Sequence, residues 1–397
     1  MKAKRNEAKR IITENCKRKF IEVITLENSY DRVLAEDIYS PCNIPDEDKS
    51  AIDGYAFNNK SLAKLPAKLK IVGETAAGDE DKKKVDIGEA VFVMTGGVIP
   101  TGADTAVRVE DVKVENGYVI VDFPVEKGTL VNFKGSELEK GELVLEKGTR
   151  LDYRKVGLLA NLGIYKVKVY QRPTVGIITT GNEVLEPFET YKKGFVRNSN
   201  YYILKGLLEE FANVIYFGVA EDDKKSMIEL FEKALISVDI LVTTGGVSKG
   251  KYDFVKEVVK RIGFDVKFTM TNIRPGRPLV FGVKEETLFF GLPGYPSAML
   301  VNAIEFLLPA VRKMAGLKNF ENNYLTAITT TPLKSKEGRV DFIRVNYFTE
   351  DGVLKVKDAG SQQTSNYTSM ALCKALAVVP ENRGKVLEGE TVEVLFI

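Results

Sequence analysis

The chain runs to 397 residues and carries 57 Lys and Arg against 55 Asp and Glu, with no histidine and no tryptophan. That length exceeds a single hydrophobic core and predicts roughly two to four domains, while a formal net charge of +2 supplies no bulk field for nucleic acid or an anionic membrane. Without histidine, Ser-His-Asp and Cys-His nucleophilic sites and all histidine-ligated metal centres are excluded, leaving carboxylates, lysine, hydroxyls and backbone for chemistry and favouring a hard cation such as Mg²⁺ over zinc.

Residues 1 to 38 alternate charged and apolar positions (Ala8, Ile11, Ile12) as an amphipathic helix does, with a solvated basic face. From 39 to 136 the pattern changes to short β runs punctuated by Gly and Pro. Asn116-Gly117 is a hairpin signal between Val112-Lys113-Val114 and Tyr118-Val119-Ile120-Val121. A second apolar-periodic run, Val156 to Leu162, follows a turn at Lys140-Gly141. From 171 to 320 strands and helices alternate: Thr174 to Thr179, a helix from about Tyr201, Val214 to Phe217, a helix from about Lys224, Val238 to Val242, a helix from about Tyr252, and a long apolar helix from Ala298 to Val311. This alternation predicts a parallel sheet with helices on both faces and ligands at the carboxyl ends of its strands. Residues 321 to 397 return to β patterning, with Asp351-Gly352 as a turn. Cys16, Cys42 and Cys373 lack CxxC spacing and read as reduced packing residues. No secretory leader pattern and no span-length apolar run is present, so a soluble, cytoplasmic protein is expected.

The stretch Val242 to Phe254, VTTGGVSKGKYDF, joins a buried strand to a helix. Gly245, Gly246 and Gly250 allow backbone N–H groups to face a ligand, Thr244 and Ser248 add hydroxyls, Lys249 and Lys251 add charge, and Asp253 places a carboxylate beside this anion cradle. Taken alone, the loop reads equally as a glycine-rich turn with solvated lysines. Glu183, Asp222 and Asp223 also follow strands of the α/β segment, and with Asp253 they make a shared metal-and-phosphate pocket plausible. Individually each reads as a helix cap, Asp222 and Asp223 most of all. Arg274 and Arg277 lie on a proline-stiffened turn suited to an oxyanion, and Pro293 and Pro296 belong to Gly-Leu-Pro-Gly-Tyr-Pro before the long helix. Stiff turn chemistry is the commoner use of both segments.

Six motifs then converge: SAIDGYA at 50 to 56, MTGGVIPTGAD at 94 to 104, TTGNEV at 179 to 184, TTGGVSKGKYDF at 243 to 254, RPGRP at 274 to 278 and GLPGYP at 291 to 296. In this order the chain resembles the molybdopterin molybdenumtransferase family, the MoeA type that includes the E domain of gephyrin. The resemblance implies a multidomain α/β plus β fold: a split linker domain (1–38 and 137–170), an inserted β-rich domain (39–136), a doubly wound α/β domain similar to molybdopterin adenylyltransferases (171–320) and a C-terminal β domain (321–397). It implies an elongated homodimer, contact with a molybdopterin adenylyltransferase, and insertion of molybdate into adenylylated molybdopterin with Mg²⁺ and release of AMP. A tungstate-inserting homologue and a non-catalytic pterin-binding scaffold are the alternatives.

By the same resemblance, Gly245, Gly246, Ser248, Lys251, Pro293 and Pro296 hold the pterin phosphate and Arg274 and Arg277 receive the oxyanion. Glu183, Asp222, Asp223 and Asp253 position the metal, Glu183 and Asp253 also serving catalysis, while Asp53 and Thr95 reach in from the partner subunit. Glu137 stands where the family tends to have aspartate. Tyr295 stands where asparagine is common, Ala298 where serine occurs, Gln363-Thr364-Ser365 where a GSG-like run occurs, and Arg274 and Arg277 where lysines are frequent.

Overall fold

The computed structural model describes residues 1–79, 83–247 and 254–397. The chain divides into two compact units, one built from residues 1–36, 147–157 and 165–397, the other from 37–146 and 158–164.

The larger unit opens with helix α1 (Arg5–Asn15) and is centred on a six-stranded sheet. In chain order its elements are β1 (Thr174–Thr180), α2 (Asn200–Leu208), β2 (Asn213–Ala220), α3 (Lys224–Leu235), β3 (Ile240–Thr244), α4 (Val255–Arg261), β4 (Asp265–Met270), β5 (Ile273–Arg274), β6 (Pro278–Lys284), β7 (Thr287–Leu292), α5 (Pro296–Asn302) and α6 (Leu308–Met314). The sheet order is β2-β1-β3-β7-β6-β4. Strand alternation explains why both faces carry helices. Val175, Ile177, Ile240 and Val242 enter one core with residues of α1, α2, α5 and α6, whereas Ile178, Leu241 and Phe289 enter a second with Met227 and Phe231 of α3 and Val258 of α4.

The first four strands are parallel, and the last two depart from the expected all-parallel sheet. The reason is connection length. Lys284 pairs with Thr287 across only Glu285 and Glu286, whereas a parallel return needs about a dozen residues, so β6 and β7 form a hairpin whose Glu285 takes a positive φ of 54°.

The apolar run from Ala298 to Val311 is also not one regular helix, because a π-helical turn over Ala303–Leu307 separates α5 from α6. Pro309 has no N–H to give to a preceding carbonyl, which favours a change of hydrogen-bond register here. The π turn carries Glu305, fully buried, which accepts from Arg5 Nε at 2.6 Å and from Tyr324 Oη at 2.6 Å and pairs with Lys9 Nζ at 2.8 Å. These contacts tie α1 to the sheet unit. The helix begins at Arg5 rather than spanning most of the first 38 residues, and Ile21–Thr25 is a strand paired with Lys166–Tyr170.

Beyond α6, strands β8 (Leu325–Thr329), β9 (Val340–Glu350), β10 (Val353–Asp358), β11 (Ala375–Val379) and β12 (Thr391–Phe396) close into a barrel, since β9 pairs with both β10 and β11. Helix α7 (Tyr367–Leu372) lies between β10 and β11 in the chain. The short β5 adds to β9 in parallel, Ile273 opposite Val340 and Arg274 opposite Asp341. The Asp351-Gly352 turn falls where it was expected, with φ of 52° and 74°.

The smaller unit holds a six-stranded sheet of its own, in the order Thr105–Arg108, Gly54–Phe57, Glu89–Val93, Ala67–Thr75, Tyr118–Val121, Lys113–Glu115. Its outer hairpin turns at Asn116-Gly117, both at positive φ. Cys16 and Cys373 are buried, as packing residues should be, but Cys42 is exposed. Burial pushes the Cys16 thiol up to about 12.

Replacing Glu305 by alanine leaves Arg5 and Lys9 without their buried counter-ion, and the expected loss is about 3 to 5 kcal/mol, read as a lower urea midpoint. An unchanged midpoint would show that α1 is held by its apolar face alone.

Candidate active site

The register of the parallel strands sets the site. Thr180 lies beside Ala220, Thr179 beside Thr244, and Thr244 beside Leu292, so the loops that follow β1, β2, β3 and β7 leave the sheet side by side. They open into a cleft of about 1010 Å³ in the larger unit.

Glycine makes this packing of loops possible. Gly245 has φ +98°, and a Cβ there would stand 2.6 Å from Thr180 Oγ1 and 2.8 Å from the Thr180 carbonyl oxygen. A Cβ on Gly246, φ +63°, would stand 2.6 Å from a methyl of Val255. Gly245 N donates to Leu292 O at 3.0 Å, and Asn200 Nδ2 donates to Gly294 O at 2.9 Å, which fixes the Pro293–Pro296 segment beside the Gly245 turn. Gly245, Gly246, Pro293 and Pro296 all line the cleft.

Two carboxylates from the loops after β1 and β2 face the same space. Glu183 folds back over Gly181, whose hypothetical Cβ would meet the Glu183 carboxylate at 2.8 Å. Asp222 lines the wall and is held by reciprocal bonds: its N–H donates to Asn182 Oδ1 at 3.0 Å and its Oδ2 accepts from Asn182 N at 3.3 Å. Asp223, expected either as a third pocket carboxylate or as a helix cap, is the N-cap of α3. Its Oδ2 accepts from Ser226 N and Ser226 Oγ, both at 2.8 Å, and these bonds hold its carboxyl below the usual carboxylate range. It is not among the cleft's lining residues. Ser248, Lys251 and Asp253 lie outside the described residues. Among the described residues, no three acidic, histidine or cysteine side chains converge as metal ligands.

Arg274 and Arg277 line the cleft and are exposed. Their turn is anchored from below. Asn302 Nδ2, fully buried, donates to Gly276 O at 2.9 Å and Pro278 O at 3.1 Å, and Thr271 N donates to Arg277 O at 2.8 Å. Pairing of β5 with β9 brings in Lys336 and Arg339, which the sequence reading did not single out. Arg339 Nε donates to Asp341 at 3.1 Å, so its position follows from the barrel rather than from any local motif. Thr364, noted in the sequence only as a departure, lines the cleft as well. Six cationic side chains (Lys2, Arg197, Arg274, Arg277, Lys336, Arg339) thus face three carboxylates (Glu183, Asp222, Glu337). The excess suits an anionic ligand.

Asp53 and Thr95 belong to the smaller unit, where they meet each other. Thr95 donates to Asp53 Oδ1 twice, from its N–H at 2.6 Å and from Oγ1 at 2.9 Å, and these bonds, the backbone one foremost, hold the Asp53 carboxyl below its ordinary value.

A doubly wound sheet whose strand ends open into a cationic, glycine-lined cleft defines a protein that binds an anionic small molecule. Matches to known families sharpen this. Residues 3–163 match the MoeA N-terminal region (domains I and II), 176–313 a probable molybdopterin binding domain, and 326–397 the MoeA C-terminal region (domain IV). The chain is 34% identical to the molybdopterin molybdenumtransferase of Haemophilus influenzae over 94% of its own length and 93% of that protein's, and 32% identical to that of a Nostoc species over 94% and 88%. The crystal structure of the molybdopterin biosynthesis MoeA protein from Pyrococcus horikoshii superposes with a TM-score of 0.87 at 32% identity, covering 100% of both chains. The chain belongs to the MoeA-type molybdopterin molybdenumtransferase family.

Two measurements test this geometry. Gly245→Ala should lower stability by more than about 1 kcal/mol, whereas Gly218→Ala, also at φ +98° but with open space around it, should cost distinctly less; equal losses in chemical denaturation would contradict the close approach to Thr180. Asp53 has a depressed folded pKa, so its stabilising contribution is present above the ordinary carboxyl range and is lost as pH falls through the depressed value. Thr95→Ala removes the Oγ1 bond and leaves the N–H bond, so a carbon-13 titration of the Asp53 carboxyl should move part of the way up, and an unmoved midpoint would rule out the hydroxyl's share.

Proposed function

We propose that this chain is a molybdopterin molybdenumtransferase that takes adenylylated molybdopterin and molybdate, places the metal on the dithiolene and releases AMP. The observation that carries the reading is the cleft itself: glycine turns on parallel strand ends, a cationic wall and two carboxylates, in a chain of this family.

The backbone around Gly245 and Gly246 and the Pro293–Pro296 segment would seat the phosphates, close backbone approach being what the glycines permit. Arg274 and Arg277, fixed through Asn302 and Thr271, would present guanidinium forks to the oxyanion. Glu183 and Asp222 fit the donor set of a Mg²⁺ ion, which is held by one or two carboxylates with substrate phosphates and waters completing its shell. When bound, Mg²⁺ would neutralise phosphate charge as the link to AMP is broken. Asp223 is spoken for by its helix cap and has no part in this set.

The further parts of the reading rest on the family pattern. They are a homodimer in which Asp53, ionised through its bonds from Thr95, serves the partner's substrate, a cytoplasmic setting, and delivery of the adenylylated substrate by an adenylyltransferase. Among the described residues, no helix is long and apolar enough to cross a membrane.

Purified protein given adenylylated molybdopterin, Mg²⁺ and molybdate should release AMP, and absence of release with molybdate and with tungstate would sink the reading. Glu183→Ala should lower turnover at least about 10-fold. Arg274→Gln should mainly raise the oxyanion concentration needed for half-maximal rate. Full activity in both variants would sink the residue assignments while sparing the activity.

A further inference from the structure

A second pocket, of about 540 Å³, lies at the opposite end of the same sheet. Thr174, the first residue of β1, lines it, whereas Thr179 and Thr180 at the far end of that strand line the active-site cleft. The seven-residue strand, rising about 3.3 Å per residue, runs from one to the other, so one small ligand cannot occupy both.

Its walls are built around guanidinium groups. Arg32 and Arg172 line it, and behind them stand Arg150 and Arg312; these four are the arginines whose buried Nε has no protein acceptor among the described residues. Arg150 bridges Asp31, at 2.7 Å, and Glu210. Arg150 and Arg312 lie over the ring of Phe211, at 5.4 and 5.1 Å from its centroid. Arg32 pairs with Glu22 and donates to Tyr170 O at 2.9 Å.

Arg172 has no ion pair or side-chain hydrogen bond among the described residues. Burial lowers its pKa, and the charges of Arg32 and Arg150 lower it further against weaker support from Asp31 and Glu210. Lys19, also in the pocket, is matched by Asp239. Set against Glu22, Asp31 and Glu210, the four arginines leave an uncompensated cation, and Arg172 is the one placed to carry it into the pocket.

A half-buried guanidinium beside two others is costly unless an acceptor satisfies it. Arginine offers a planar fork of donors that matches the oxygens of a tetrahedral anion. We propose that this pocket is a second anion site, in which Arg172 and Arg32 bind a tetrahedral oxyanion of the phosphate class. The anion would enter as a free ion or as the phosphate end of a larger metabolite. The site needs nothing from the transferase reading, because its residues are remote from the cleft.

The test is calorimetric titration of inorganic phosphate into the Arg274→Gln/Arg277→Gln protein, where the cleft's oxyanion turn has been removed. Saturable binding is expected, weakened by about 30-fold on adding Arg172→Gln and by about 10-fold on adding Arg172→Lys, which keeps the charge and loses the fork. The lysine variant also guards against a glutamine variant that fails to fold. A crystal soaked in sulfate should hold the ion within hydrogen-bond distance of Arg172 and Arg32. Because the glycine loops of the cleft can also seat a phosphate, adenosine monophosphate is read only through the part of its binding that Arg172→Gln removes: no tighter than phosphate, that part assigns a free oxyanion, and about 10-fold tighter it assigns a phosphorylated metabolite. No phosphate binding in the Arg274→Gln/Arg277→Gln protein, or binding that Arg172→Gln and Arg172→Lys leave unchanged, overturns the proposal.

Discussion

Backbone lying against backbone at the strand ends is the constraint on which the site depends. The loops after β1, β3 and β7 pack so closely that a methyl group on Gly245 would stand 2.8 Å from the Thr180 carbonyl oxygen, while one on Gly294 would already touch Gly245 Cα at 3.5 Å. Parallel pairing aligns these loops, because it puts every C-terminal strand end at one edge of the sheet. The apolar alternation that makes β1 and β3 central strands therefore also determines where the cleft opens. Helices covering both faces leave the strand ends as the open edges of the sheet, and the glycine loops stand at this one.

The cationic side of the cleft has a different origin. Arg274 and Arg277 sit on a turn held by buried Asn302, which belongs to α5, and by the pairing of β5 with β9. Arg339 arrives through the barrel and is steadied by Asp341. The cationic wall of the cleft thus draws on the α/β sheet and the C-terminal barrel together, within one compact unit. The arginines at the other sheet end show the converse condition: Arg150 and Arg312 pack on Phe211, Arg32 is held by Glu22 and Tyr170 O, and the carboxylates among them are too few to match the guanidiniums.

Much of this was legible in the sequence for identifiable reasons. Alternation of strand and helix patterns located the α/β sheet, Asn116-Gly117 and Asp351-Gly352 marked true turns, and the TTGG and GLPGYP motifs led to loops that line one cleft. The β6–β7 hairpin was missed because Glu285-Glu286 carries no turn signature, and the π turn because apolar composition says nothing about hydrogen-bond register. Asp223 was a matter of competing uses: an aspartate just before a helix can face a ligand or cap the helix, and Ser226 three residues on favours the cap. Lys336, Arg339 and Asn302 had no local signal, since long-range pairing alone brings them to the cleft. The resemblance to the family connected motifs that spacing could not connect.

The most direct measurement of the central claim is a crystal structure with adenylylated molybdopterin and molybdate bound. The account predicts phosphate oxygens against the backbone of Gly245 and Gly246, with Glu183 and Asp222 on the same side, and the oxyanion within hydrogen-bond distance of Arg274 and Arg277. Ligand density elsewhere on the protein, with this cleft filled only by solvent, would contradict it.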